Sequence, residues 1–164
     1  MRTPQLSDAE LAAQPAAYWT GVAYESLIAF TRARFAEVGF TQPQFWLLRN
    51  LSTNDLLPEG GGRTIPELRQ AMSSYLRAED DLGAEADVLV ERGWLTRDDA
   101  GRLWITDAGE DARVRLKQHA PAIRARIHEN IDDADYVTTL KVLLQMISNT
   151  DESVERPAVT GGGR

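Results

Sequence analysis

The sequence predicts a mainly α fold of the winged helix-turn-helix kind, with a short β-hairpin wing and further helices at both ends. One observation behind this is a short helix signal, Thr64-Ile65-Pro66-Glu67, followed by a polar turn at Ser73-Ser74 and a second helix that ends at Gly93. A second is the change of period straight after Gly93. Residues 94–97 and 102–105 read as short strands on either side of the turn residues Asp98-Asp99-Ala100-Gly101. Two packed helices alone are a weak signal, and the hairpin directly behind them makes it more specific. The third observation is the pair of long helical patterns that flank this block.

Taken in order, residues 1–14 form a polar, alanine-rich N-terminal arm in which Ser7 and Glu10 are spaced as a capping box. A long helix is expected over residues 15–38, with Trp19, Val22, Ala23, Phe30, Phe35 and Val38 as a broad apolar face and Gly39 as its stop. Thr41 and Gln44 box the start of the next helix, which Phe45, Trp46, Leu47, Leu48 and Leu51 make largely buried. Residues 54–62 read as a flexible loop ending in three glycines, and with no following Gly-Lys-Ser/Thr it is no phosphate loop. After the short helix and its turn, a helix from about Ala78 to Arg92 turns Leu82, Ala86, Leu89 and Val90 inward. Thr106 caps a long helix running to about Asn130, kinked at Pro121. Asp132 or Asp133 opens a last helix in which Val137, Leu140, Leu143, Leu144 and Ile147 recur at helical spacing. Residues 150–164, with Pro157 and a second glycine triplet, read as a disordered tail.

Composition narrows the function classes. The chain has 164 residues, no cysteine, and neither a bilayer-length apolar run nor a signal-peptide pattern, which predicts a cytoplasmic protein without disulfides or cysteine-held zinc. His119 and His128 lie nine apart, a spacing that places their rings on roughly opposed sides of a helix and disfavours a shared metal. No GxSxG, HExxH or Walker pattern occurs, so neither catalysis nor a cofactor is expected. The net charge of −7 is unusual for a nucleic-acid binder, and residues 63–106 alone hold six arginines against nine acidic side chains.

Four blocks carry a family resemblance: Phe45-Trp46-Leu47-Leu48-Arg49, Thr64-Ile65-Pro66-Glu67-Leu68, Leu89-Val90-Glu91-Arg92-Gly93-Trp94-Leu95, and Ile105-Thr106-Asp107-Ala108-Gly109. In this order and spacing the chain resembles MarR-family transcriptional regulators over roughly residues 15–148. The resemblance implies a homodimer built from helices within 15–38 and 107–148, around a DNA-binding winged domain at 41–106. It also implies a palindromic operator and release by a small ligand held between the two parts.

On that reading, Arg63, Arg69, Arg77, Arg97 and Arg102 fall where phosphates would be met, and Ser73, Ser74 and Tyr75 are further donors on the turn. Surface pairing with the abundant carboxylates is the competing role for each arginine. Tyr18, Trp19, Tyr24, Phe45 and Trp46 are the candidate lining of an apolar effector site, with ordinary core packing as the alternative. The recognition-helix region opens on Glu79-Asp80-Asp81 where the family is basic or hydroxyl-rich. These carboxylates either favour the helix N-terminus or accept from cytosine N4. A winged-helix interaction protein, using that acidic face for a protein partner, is the alternative to DNA binding.

Overall fold

The computed structural model describes residues 6–151 and contains eight helices and one two-stranded sheet among them. The expected tail beyond Asp151 lies outside the described residues, as does the start of the N-terminal arm. Contacts divide the chain after Arg124 into two compact units.

Most of the first unit is built on local capping chemistry. The short helix α1 (Asp8–Ala12) and helices α3 (Gln42–Leu51) and α4 (Ile65–Ala71) each begin with a complete capping box, at Ser7/Glu10, Thr41/Gln44 and Thr64/Glu67. Helix α2 spans Ala16–Glu37, and Gly39 beyond it takes a φ of 80°, a left-handed geometry that terminates helices at low cost only in glycine. Helix α5 spans Leu82–Glu91 and is followed by Gly93 at a φ of 71°. Strands β1 (Leu95–Arg97) and β2 (Leu103–Ile105) pair antiparallel with Thr96 opposite Trp104. Thr106 caps α6 (Asp107–Lys117) by accepting from the Gly109 amide at 3.1 Å.

Helix α3 is the centre of this unit. Its Leu47 and Leu48 are fully buried, and Leu68 and Met72 of the α4 segment, Leu82, Ala86 and Leu89 of α5, Leu95 and Leu103 of the wing, and Ala112 and Leu116 of α6 close the same core. Each such leucine contributes about 1.5–3 kcal/mol by leaving water. The inward set of α5 recurs at the helical period, so the opposite side of that helix faces solvent by construction.

Four expectations need correction. The α5 helix begins at Leu82, four residues later than the periodicity suggests, because Asp81 is its N-cap and accepts from the Ala84 amide at 3.1 Å. The expected kinked helix from residue 107 is broken outright at Gln118 and His119. Helix α7 (Ala120–Ile127) starts afresh there, with Pro121 in its first turn where no amide donor is needed. The loop at 54–62 has defined packing: Leu57 is buried, and Gly62 lies so close beneath the Trp104 ring that a Cβ would collide with it. Finally, α2 buries only Phe35, which packs on Phe45 at 5.1 Å, while Val22 and Val38 of the expected apolar face are exposed.

The second unit contains α8 (Asp133–Thr150), none of whose residues is buried. Its Val137, Leu140, Leu144 and Ile147 fall three and four residues apart and all lie exposed.

Gly109 sits within α6, where a Cβ would run into the Trp94 carbonyl and the Ile105 side chain. Alanine is the better helix former by about 1 kcal/mol. Gly109→Ala is nevertheless expected to lower stability by about 1–3 kcal/mol through overpacking against backbone, read as an earlier urea midpoint.

Candidate nucleic-acid interface

The segment between α4 and α5 is tied down by charge. Arg32 of α2 donates through both terminal nitrogens to the two carboxylate oxygens of Asp80, each at 2.7 Å. The Arg77 amide donates to the same carboxylate at 2.8 Å, and the Arg77 guanidinium reaches Glu25 of α2 at 2.6 Å. The Asp80 side chain is only 7% exposed, so its charge is compensated in place rather than by water. The Arg32 hydrogen bonds hold its carboxyl below the usual range for aspartate. Asp80 is therefore neither a helix N-terminal acid nor a base reader, whereas Glu79 stays exposed. Farther along, Gln44 of α3 donates to Glu85 of α5 at 2.7 Å, which takes a second carboxylate out of play.

Tyr75 leaves the turn to stack on Trp46, with ring centroids 4.0 Å apart and 7° between planes, and Arg49 covers the other partner ring at 4.7 Å. Ser73 and Ser74 remain exposed beside it.

On the wing, Asp98 accepts from the Arg102 amide at 2.8 Å, the Ala100 amide at 3.0 Å and the Trp104 indole at 3.0 Å, which sets the hairpin turn. Arg63 adds a bridge to Leu103, so the wing gains the edge of a third strand. Arg102 donates to the Gly62 carbonyl and contacts Glu67 at 3.3 Å, which places it with Arg63 at the start of α4. Arg97 instead pairs with Asp87 of α5 at 2.6 Å. Among the described residues Arg69 makes no ion pair or side-chain hydrogen bond. The structure thus groups Arg63, Arg69 and Arg102 around α4 and the wing base, Arg97 with α5, and Arg77 against α2.

The aromatic candidates fall into two groups. Tyr18 and Trp19 meet edge to face at 5.3 Å, while Phe45 and Trp46 belong to the core-side cluster with Phe35 and Tyr75. Among the described residues no ring contact joins Tyr18, Trp19 or Tyr24 to Phe45 or Trp46. Tyr18 and Tyr24 are exposed, and the buried indole nitrogen of Trp19 has no hydrogen-bond partner.

Sequence reasoning missed a second charged cluster that braces α3 against α6. Asp55 accepts from Arg49 at 2.9 and 3.1 Å and from Arg113 at 3.0 Å, and Arg113 also donates to Glu110 at 2.8 Å. A shallow cavity of about 350 Å³ beside it is lined by Asn54, Arg113, Val114, Lys117 and Gln118. No motif links these positions, since Asp55 and Arg113 are 58 residues apart.

No family model matches the sequence, and no curated protein matches it. Solved structures do match in fold. A mutant MarR from E. coli superposes with a TM-score of 0.61 at 22% identity, covering 82% of this chain and 97% of the other. The transcriptional repressor CouR gives 0.58 at 23% identity, covering 87% and 98%. A MarR-family protein of Mycobacterium tuberculosis, in complex with p-aminosalicylic acid, gives 0.59 at 19% identity, covering 81% and 98%. The chain has the winged-helix fold of MarR-family regulators. No helix among the described residues is long and apolar enough to cross a membrane.

The Asp80 and Asp55 carboxyls both titrate below the ordinary value of 3.8 in the folded chain, each held down first by its arginine hydrogen bonds. A depressed folded pKa contributes stability that is fully present above 3.8 and is lost as pH falls through the lower folded value. Urea midpoints are therefore expected to hold from pH 7 down to about 5 and to fall below about 4. Asp80→Asn is expected to cost about 1.5–3 kcal/mol at pH 7, the worth of hydrogen bonds to a charged group, and to flatten the acid limb.

Proposed function

We propose that this chain is a DNA-binding transcriptional regulator, a repressor acting as a homodimer on a palindromic operator and released by a small apolar or aromatic ligand. The observation that carries the reading is the sorting of its arginines by the burial of the carboxylates they meet. Arg32 and Arg113 are bound to carboxylates that are 7% and 5% exposed, so those pairs do not exchange partners cheaply. The partners of Arg63, Arg77, Arg97 and Arg102 are Glu59, Glu25, Asp87 and Glu67, which are 69%, 66%, 58% and 48% exposed. Exposed pairs are worth about 0–1 kcal/mol, so a phosphate oxygen replaces the carboxylate at little cost. Arg69 needs no exchange at all. In a winged helix these positions flank the helix that enters the major groove, while the first helix of the pair crosses the backbone.

The dimer rests on helices that lack cover. The exposed Val137, Leu140, Leu144 and Ile147 of α8 form a stripe of the kind that pairs with a second copy, and α2 presents exposed Tyr18, Val22 and Leu27. The effector part rests on the aromatic group of α2, where the unpartnered Trp19 indole would donate to a ligand carboxylate and Tyr18 would pack on its ring. The M. tuberculosis neighbour holds an aromatic acid, p-aminosalicylic acid.

A second reading has its own support, because the solvent side of α5 presents Asp87 and Glu91 and no cation. A basic protein would suit that face.

Gel shifts against promoter fragments are expected to detect weak binding at about 50 mM salt that is lost by about 200 mM, since it rests on arginine-phosphate contacts whose counterion release makes affinity fall steeply with salt. Joint charge reversal, Arg69→Glu with Arg102→Glu, should abolish the shift while lowering stability by only about 1–2 kcal/mol, the worth of the Arg102 contacts to Gly62 and Glu67. An absence of any shift at low salt, or indifference to that reversal, would instead favour the protein partner. Leu144→Asp is expected to convert the dimer to a monomer in sedimentation, and an unchanged assembly would remove α8 from the interface.

A further inference from the structure

Helix α5 carries no side-chain hydrogen-bond donor anywhere along its ten residues, Leu-Gly-Ala-Glu-Ala-Asp-Val-Leu-Val-Glu. Leu82, Ala86 and Leu89 face the core, and Glu85 is engaged by Gln44. The side left to a partner is the stripe Ala84, Asp87, Val88 and Glu91, spaced by three, one and three residues on one helical face. That stripe offers two alkyl groups and two hydrogen-bond acceptors.

We infer that α5 reads the major groove by methyl and acceptor contacts alone: Ala84 and Val88 against the thymine C5-methyl, and Asp87 accepting from the exocyclic amine of cytosine. The inference rests on the DNA-binding reading above. The groove edges of guanine, N7 and O6, are both acceptors, as are adenine N7 and thymine O4, so none of them finds a side-chain partner on this helix. Only the amines of cytosine and adenine and the thymine methyl are complementary to it. Of the two, cytosine is favoured because adenine sets the N7 acceptor beside its amine, where a carboxylate is repelled. Arg97 makes such a carboxylate tolerable near phosphates. It pairs with Asp87 at 2.6 Å from strand β1 and supplies a counter-charge at the edge of the stripe. Its remaining guanidinium donors are free to meet a phosphate, so that for Arg97 the phosphate adds to the carboxylate rather than displacing it. Arginine-to-guanine contacts, the commonest means of specific readout, are absent from the helix itself.

The test uses duplexes that the full-length protein enriches from a randomised pool at low salt. Within the enriched sequence, deoxyuridine is put in place of each thymine and 7-deazaguanine in place of each guanine. Loss of a contacted methyl is expected to weaken binding about fourfold, the worth of one buried methyl group, while 7-deazaguanine leaves affinity within about twofold. A second selection uses Asp87→Asn, an exposed position whose new amide adds a donor. Its enriched sequence is expected to change from cytosine to adenine at one position, as a bidentate amide reads adenine. Loss of about tenfold or more on 7-deazaguanine substitution, or an unchanged preference with Asp87→Asn, overturns the inference and leaves DNA binding standing. Failure of the native protein to enrich any duplex overturns the DNA-binding reading itself, and this inference with it.

Discussion

The carboxylate of Asp80 is the point on which the candidate interface hangs. It accepts two hydrogen bonds from Arg32 on α2 and one from the Arg77 backbone, with almost no solvent reaching it. An ionised group so placed is tolerable only because each oxygen is partnered, and removing a partner would leave a buried charge. The turn after α4 is consequently fixed to α2 rather than free to wander. That turn delivers Asp81 to the N-cap of α5 and so decides which residues of α5 point outward. Tyr75 on Trp46 and Gln44 on Glu85 hold the same region from the side of α3.

Two populations of charge follow, and they do different work. The buried clusters at Asp80 and Asp55 set geometry, and their carboxylates are spent on it. The exposed pairs at the wing and around α4 hold arginines in reserve, since their energy is small and screened by salt. A net charge of −7 is thus a poor guide to what the wing side can bind. Part of that negative charge is locked inside the frame, and more sits on exposed carboxylates paired with surface arginines.

The apolar residues tell a similar story. Helix α3 is buried on nearly all sides, which gives the winged part a rigid centre. Helix α2 buries only Phe35, and no residue of α8 is buried. Helices so rich in exposed apolar side chains are costly in water unless something covers them.

Much of this architecture was legible in the residues. The caps at Ser7, Thr41, Thr64 and Thr106 were readable because each is a hydrogen bond between groups three residues apart. The stop at Gly93 and the two short strands were readable because they depend on a backbone angle and a period of two. The order of the 54–62 loop was not, since it is decided by a distant contact, Gly62 beneath Trp104. The first turn of α5 and the break before α7 were missed because several local caps and a proline compete there and periodicity alone does not choose between them. So too with the candidate site: sequence alone determined which arginines exist near the wing and that α5 is acidic. Which of them are committed to pairs, and which carboxylates are buried, only the folded chain decided. Arg32 meets Asp80 across 48 residues and Arg113 meets Asp55 across 58, and no local spacing encodes an encounter that exists only after the core has closed.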